Sequence, residues 1–263
     1  MIARLSLRSL ALGYLALLLI FPVSLIFVRT FGKGVGAVWE AATQPDAVHA
    51  LWLTLLVATV AVSANTIFGV VCAMVLVRHN FRGKTLLNAL LDLPLAVSPV
   101  VIGLSLLLVY GRTSPVGAWL AEKGIQIVFA TPGIILATIF VSLPFVVREV
   151  VPVLREIGTE QEQAASTLGA SAFQTFRSVT LPSIRAGVAY GIVLTMARAI
   201  GEFGAVSLVS GKLSGRTETL TIYVQSSFER FDIIGCYTAA LILAIIAIAT
   251  LLLTNLTKPK EEY

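Results

Sequence analysis

Long apolar stretches separated by short polar segments dominate the sequence. Six of these stretches approach the length of about 20 residues that a helix needs to cross the hydrocarbon core of a membrane. We therefore predict an all-α polytopic membrane protein with one transmembrane domain over residues 1–263. The predicted spans are residues 10–30, 50–77, 86–110, 129–151, 184–209 and 233–256.

The composition agrees with a lipid environment, because 57% of the residues are hydrophobic and only 13% are charged. Globular chains carry roughly a quarter charged residues. The net charge of +5 does not indicate nucleic-acid binding, since the basic residues are scattered along the chain. Cys72 and Cys236 lie in apolar stretches without a metal-binding spacing. We thus predict contact with membrane lipid, no nucleic-acid partner, no metal site and no cofactor.

The distribution of Lys and Arg predicts the orientation in the membrane. These residues are more numerous in the segments on the same side as the N-terminus, and Arg78, Arg82 and Lys84 share one short segment. Segments rich in Lys and Arg remain in the cytoplasm. An even number of spans then places both termini in the cytoplasm.

Several predicted spans contain residues that interrupt helices. The third span contains Pro94 and Pro99, and the fifth contains glycines that include Gly187 and Gly191. Proline removes a helical hydrogen bond, and in lipid the freed carbonyl must be satisfied by neighbouring helices or by a water-lined cavity. Small residues at four-residue spacing permit close contact between helices. We therefore expect a helical bundle with an interior.

The segment between the fourth and fifth spans, residues 152–183, is longer than two antiparallel helices need. Its apolar residues recur at three- and four-residue steps, which predicts an amphipathic helix. Thr159 is a candidate N-cap, Gly169 a break and Pro182 a helix end, so the pattern predicts two short helices. Such helices lie either on the membrane surface or against another protein. The acidic and amide residues that begin the segment favour a protein partner.

This segment resembles the coupling motif of ABC importer permeases, which reads Glu-Ala-Ala, three residues, Gly, nine residues, then Ile-x-Leu-Pro. The chain has Gln163 where the family has glutamate, with Glu162 one position earlier, and Val179 where the family has isoleucine. In the family, this motif binds a groove of the ATPase subunit. The resemblance assigns ATPase coupling to Glu162, Gln163, Ala164, Ala165, Gly169, Val179, Leu181 and Pro182.

Most of the remaining chain is similar to the sulfate and thiosulfate branch of these importers. The similarity is carried by residues 92–100, 143–149 and 197–206, and residues 206–211 look closer to the second of the two sulfate permeases. The resemblance implies the type I importer permease fold in a bacterial cytoplasmic (inner) membrane. It also implies a transport subunit without its own ATP site. The implied partners are ABC ATPase subunits, a second permease in a heterodimer and an extracytoplasmic substrate-binding protein.

Two alternatives to a sulfate or thiosulfate importer remain open from the sequence. One is a permease for molybdate or tungstate, because those ions are also tetrahedral dianions and residues 198–204 are shared with molybdate permeases. The other is a secondary transporter that works alone, although such a protein does not need the long inner segment. An intramembrane enzyme is not indicated, because no catalytic constellation is found and the His residues are far apart.

Ionisable residues inside the spans are the candidates for the translocation path. Each costs at least about 2.5 kcal/mol at a helix centre, so each must face protein or water. Arg198 and Glu202 are four residues apart. Either they neutralise each other, or Arg198 supplies positive potential to a path for a dianion while Glu202 sets its rotamer. We name Arg198, Glu202 and Ser98 as path candidates. Asp92 is expected to pair with Lys84 or Arg82 near the inner surface.

Overall fold

The computed structural model describes residues 10 and 13–257, and this part of the chain consists of helices and loops without strands. The helices are α1 (Gly13–Phe31), α2 (Val35–Ala42), α3 (Pro45–Arg78), α4 (Lys84–Ala96), α5 (Pro99–Tyr110), α6 (Pro115–Glu122), α7 (Thr131–Glu156), α8 (Glu160–Thr167), α9 (Ala172–Ile200), α10 (Gly204–Val209), α11 (Leu220–Glu229) and α12 (Ile233–Thr257). Helix α1 includes a π-helical turn over Ala16–Ile20, and α9 includes another over Phe176–Thr180.

Within the described residues, five helices are long and apolar enough to cross a membrane: α1, α3, α7, α9 and α12. The bent pair formed by α4 and α5 makes a sixth when its two halves are taken as one span. The limits of the spans stay predictions, because helix bounds alone do not place a membrane. Of the predicted inner segment, residues 152–156 continue α7, and α9 begins at Ala172.

Helices α3, α7 and α9 form the centre of the bundle, and small residues let them approach closely. A Cβ on Gly69 of α3 would lie 2.8 Å from the Val146 Cβ of α7. A Cβ on Gly191 of α9 would lie 3.0 Å from the Val146 Cα, which confirms the close contact predicted for that glycine. One buried apolar cluster joins the three helices and consists of Val70, Ala73, Val146, Val150, Leu154 and Ile184.

The third predicted span is not one continuous helix. Helices α4 and α5 meet at 109° across Val97 and Ser98. Both residues have extended ψ values of 136°. For Ser98 this is expected, because the ring of Pro99 disfavours the helical conformation of the residue directly before it. The break is held from the other side by α10, because Gly103 of α5 packs directly against the backbone of Ala205.

The fifth predicted span is also divided, and its helix begins earlier than expected. Helix α9 ends at Ile200, three residues without helical structure follow, and α10 then begins at Gly204. Pro182 does not end a helix, contrary to the prediction from its position. In the π-helical turn before it, the Leu181 N–H donates to the Phe176 carbonyl, and this wider turn accommodates the proline without interrupting α9.

Candidate functional site

A helical hairpin, residues 160–182, carries the predicted coupling residues. Helix α8 ends just before Gly169, whose φ of +86° lies in the left-handed region that favours glycine. The Ala170 N–H then donates to the Ala165 carbonyl at 3.1 Å. Ser171 begins α9 with a capping box in which its side chain and that of Gln174 exchange hydrogen bonds with the backbone. The chain therefore reverses direction within a few residues.

The hairpin brings the two halves of the sequence motif together. Ala164 and Ala165 of α8 and Val179 and Pro182 of α9 line one open groove of about 650 Å³. The residues of the two halves are far apart in the sequence but adjacent in space. The small side chains of α8 allow this short helix to lie close to α9.

The outer side of the hairpin carries large apolar side chains that no other described residue of the chain covers. Leu168 is 88% exposed and Phe173 is 70% exposed. Gln163 is also exposed, and its side-chain amide donates to the Thr159 hydroxyl at 3.1 Å. Thr159 lies at the N-cap position as predicted, but its side chain makes no cap hydrogen bond. This outer side therefore carries exposed apolar groups.

The inner side of the hairpin is fastened by an ion pair that the sequence did not indicate. Glu162 of α8 points away from the exposed residues and pairs with Arg78, the last residue of α3, at 2.9 Å. The Arg78 guanidinium also donates to the Leu154 carbonyl at 3.0 Å and to the Gly158 carbonyl at 2.7 Å. The Thr180 hydroxyl of α9 donates to Glu162 at 2.9 Å. We call these five residues the Arg78 cluster.

The Arg198–Glu202 pair forms as the four-residue spacing predicts. Arg198 Nη1 lies 2.6 Å from Glu202 Oε2, and the Glu202 side chain is only 2% exposed. Its other oxygen accepts from the Ala205 N–H at 2.8 Å. A Cβ on Gly204 would lie 3.0 Å from the Pro99 Cβ, so the break beside Ser98 lies against the break that contains Glu202. The structure therefore brings together the segments that hold all three path candidates.

The prediction that Asp92 pairs with Lys84 or Arg82 is wrong. Asp92 pairs with Arg148 of α7, whose Nε lies 2.8 Å from the Asp92 Oδ1. Lys84 instead donates to the His79 carbonyl and to the Asn80 side chain, both at 3.3 Å. The face of α4 that carries Asp92 packs on α7, so the nearest cation comes from that helix rather than from the adjacent loop.

Comparison with known proteins assigns the chain to a family. Residues 65–260 match the family described as the binding-protein-dependent transport system inner membrane component. The chain belongs to this family. The sulfate transport system permease protein CysW of Escherichia coli K12 is 49% identical to this permease over 247 residues, 94% of this chain and 85% of that protein. The sulfate transport system permease protein CysT of the same organism is 38% identical over 243 residues, which cover 92% of this chain and 86% of that protein.

The fold of this permease is also found in a solved importer structure. A crystal structure of a bacterial alginate ABC transporter, in complex with an alginate pentasaccharide-bound periplasmic protein, matches with a TM-score of 0.78. The identity is 15%, and the match covers 97% of this permease and 92% of that chain. The predicted type I permease fold is thus confirmed, and the permease is a multi-pass protein of the inner membrane. The side on which its termini lie stays a prediction.

Proposed function

We propose that this permease is a membrane-spanning subunit of an ATP-driven importer that moves sulfate, with thiosulfate as a second substrate, by alternating access. The observation that carries the proposal is the 49% identity over 94% of the chain to a sulfate transport permease. Both relatives described above are named for sulfate, which favours sulfate over molybdate or tungstate. The permease itself performs no chemistry, and a separate ATPase subunit hydrolyses ATP.

The assembly in this proposal contains four kinds of chain. CysW and CysT both resemble this permease, and this supports a heterodimer of two related but different permeases. The family description supports an extracytoplasmic substrate-binding protein. The exposed Leu168 and Phe173 support docking of an ATPase subunit on the hairpin, because burial of apolar surface drives most protein association. The hairpin then faces the cytoplasm, and both termini lie on that side.

The proposed translocation path passes the meeting point of the two broken helices. Irregular backbone at membrane depth is tolerated where it lies inside protein or lines a cavity, and interrupted helices commonly supply anion sites in transporters. Ser98 is the N-cap of α5, and Arg198 supplies a positive charge four residues before Glu202. Pairing with Glu202 limits how strongly Arg198 holds a dianion, and transport requires binding weak enough to permit release.

Removing the Arg198 charge is expected to slow transport strongly. In Arg198→Ala, sulfate uptake should fall about tenfold or more, whereas Arg198→Lys should keep a larger fraction because the positive charge remains. The alanine variant also leaves Glu202 buried and unpaired, which costs roughly 3 to 5 kcal/mol. The double variant Arg198→Ala/Glu202→Gln removes that charge and serves as the stability control. Normal uptake in all three variants, at matched membrane levels, would exclude Arg198 from the path.

The proposed function is tested by uptake of radiolabelled sulfate into proteoliposomes that contain the whole assembly. We expect uptake that requires ATP and the substrate-binding protein, and that unlabelled thiosulfate reduces. Unlabelled molybdate at the same concentration should leave most of the uptake intact. ATP-dependent uptake of molybdate without uptake of sulfate would reassign the substrate. Uptake by this permease alone, without the ATPase, would contradict the importer assignment.

A further inference from the structure

We propose that Arg78 is a positioning residue that holds the coupling helix α8 to the ends of α3 and α7. Movement of α8 is then passed to the membrane helices instead of being absorbed by the loops beside it. This inference rests on the proposed function, because it assumes that the ATPase moves the hairpin. It goes further by assigning the transmission step to a residue outside the sequence motif.

The first argument concerns how little else holds α8 in place. The helix has eight residues, none of which is buried. It is flanked by Gly158 and Gly169, which both have left-handed φ values, of +64° and +86°. Glycines of this kind are the residues that change backbone conformation most readily. Without the Arg78 cluster, the contact of α8 with the first turns of α9 would remain, but both ends of α8 could rotate at these glycines.

The second argument concerns the electrostatics of the helix ends that meet at the cluster. Arg78 lies at the C-terminal end of α3 and binds the Leu154 carbonyl in the last turn of α7. Carbonyls in the last turn of a helix lack helical partners and carry partial negative charge, which a cation stabilises. Glu162 lies in the first turn of α8, where a negative charge is favourable. Both charges of the ion pair thus suit the helices that carry them.

The third argument is the geometry of the arginine itself. Its Nε and Nη2 bind both oxygens of Glu162, at 2.9 and 3.1 Å, while Nη1 and Nη2 reach two backbone carbonyls. A planar guanidinium can make this set of contacts, whereas the single ammonium of a lysine cannot. The Arg78 side chain is only 10% exposed, so water competes weakly for these donors. The contacts fix the direction of α8 as well as its distance.

The cluster also gives different roles to two neighbouring residues, Glu162 and Gln163. Glu162 faces the membrane helices, whereas Gln163 occupies the position of the family's glutamate and faces outward. The negative charge of α8 that lies beside the motif is therefore used inside the permease. The contact with the ATPase falls to Gln163, Leu168 and Phe173.

The test measures ATP hydrolysed per sulfate transported by the complete assembly in proteoliposomes. In Arg78→Gln and in Glu162→Gln, we expect this ratio to rise about tenfold or more while the ATPase co-purifies at the wild-type amount. Arg78→Lys should give an intermediate ratio, and the double glutamine variant should be no worse than either single variant, because both act through one interaction. Arg155→Gln removes a charge from an exposed position on α7 and should leave the ratio unchanged.

Two outcomes would overturn the inference. One is an unchanged ratio in all cluster variants, and the other is loss of the ATPase from the Glu162→Gln complex, which would make Glu162 a docking residue. A second readout does not depend on the substrate: spin labels at Asn80→Cys, two residues after the end of α3, and at Ser166→Cys of α8 report the distance between these two elements. Arg78→Gln should broaden that distance distribution. If the wild-type assembly did not transport sulfate, the proposed function would be contradicted. The spin-label distances would still show whether Arg78 positions α8.

Discussion

The double variant Leu168→Glu/Phe173→Glu should abolish binding of the ATPase subunits, the largest effect that we expect from any change to the hairpin. Both side chains are exposed in the isolated permease and lie on the side of the hairpin that faces away from the membrane helices. A few central apolar anchors carry most of the binding energy of an interface, and an unpaired charge buried there costs several kcal/mol more. The measurement is the amount of ATPase that co-purifies with tagged permease from detergent-solubilised membranes.

The matched control for this variant is Phe228→Glu. Phe228 is also exposed, but it belongs to α11, in a segment that the proposed topology places on the outer side of the membrane. It should retain the ATPase at the wild-type level. ATPase retained in full by the double variant, with normal insertion of the permease, would contradict docking on the hairpin.

The second large effect is expected from adding a single methyl group, in Gly103→Ala. A Cβ at this position would lie 2.6 Å from the Ala205 carbonyl oxygen and 3.0 Å from the Ala205 Cα. These are backbone atoms of α10, so no side chain can rotate to make room. Overpacking of this kind typically costs about 1 to 3 kcal/mol. We expect α5 to separate from α10 and uptake to fall below about a tenth of the wild-type rate.

Gly36→Ala is the control for the added methyl group, because Gly36 lies on a helix and has open space around the position of a Cβ. It should leave uptake unchanged and leave the thermal unfolding midpoint of the purified permease unchanged or slightly raised. The Gly103→Ala midpoint should fall by several degrees. A Gly103→Ala permease with normal uptake and stability would mean that contact between the two broken helices is not required.

The sequence predicts the helical bundle well because the apolar stretches that cross lipid are long and continuous. It predicts the interruptions less well. Pro99 marks the third stretch as unusual, but the 109° bend also depends on the fit between Gly103 and Ala205, far away in the chain. Hydropathy is the same for a straight helix and a bent one. Likewise, Pro182 suggests a helix end, because the π-helical turn that accommodates it has no signature in the sequence.

Ion pairs also differ in how well the sequence predicts them: a pair between residues close in the chain is predictable, and a pair between distant residues is not. Arg198 and Glu202 are four residues apart, so their contact is local in the sequence, although Glu202 lies just past the end of α9. Asp92 pairs with a residue 56 positions away, and Arg78 with one 84 positions away, so proximity in the chain misleads. In the sequence, Arg78 is only a charge at the end of a long apolar stretch, and nothing there indicates its partner. The coupling motif is recognisable in the sequence, but its attachment to the ends of α3 and α7 is not.

Helix α9 connects the hairpin directly to the region of the two broken helices. It runs unbroken through 29 residues, from the hairpin at Ala172 to Ile200 beside Glu202. At 1.5 Å per residue the helix is roughly 43 Å long, so a tilt of about 5° around one end displaces the other by about 4 Å. That displacement is larger than the length of a hydrogen bond. In the proposed mechanism, a small rotation at the hairpin would therefore move the end of α9 beside Glu202 by more than the length of a hydrogen bond.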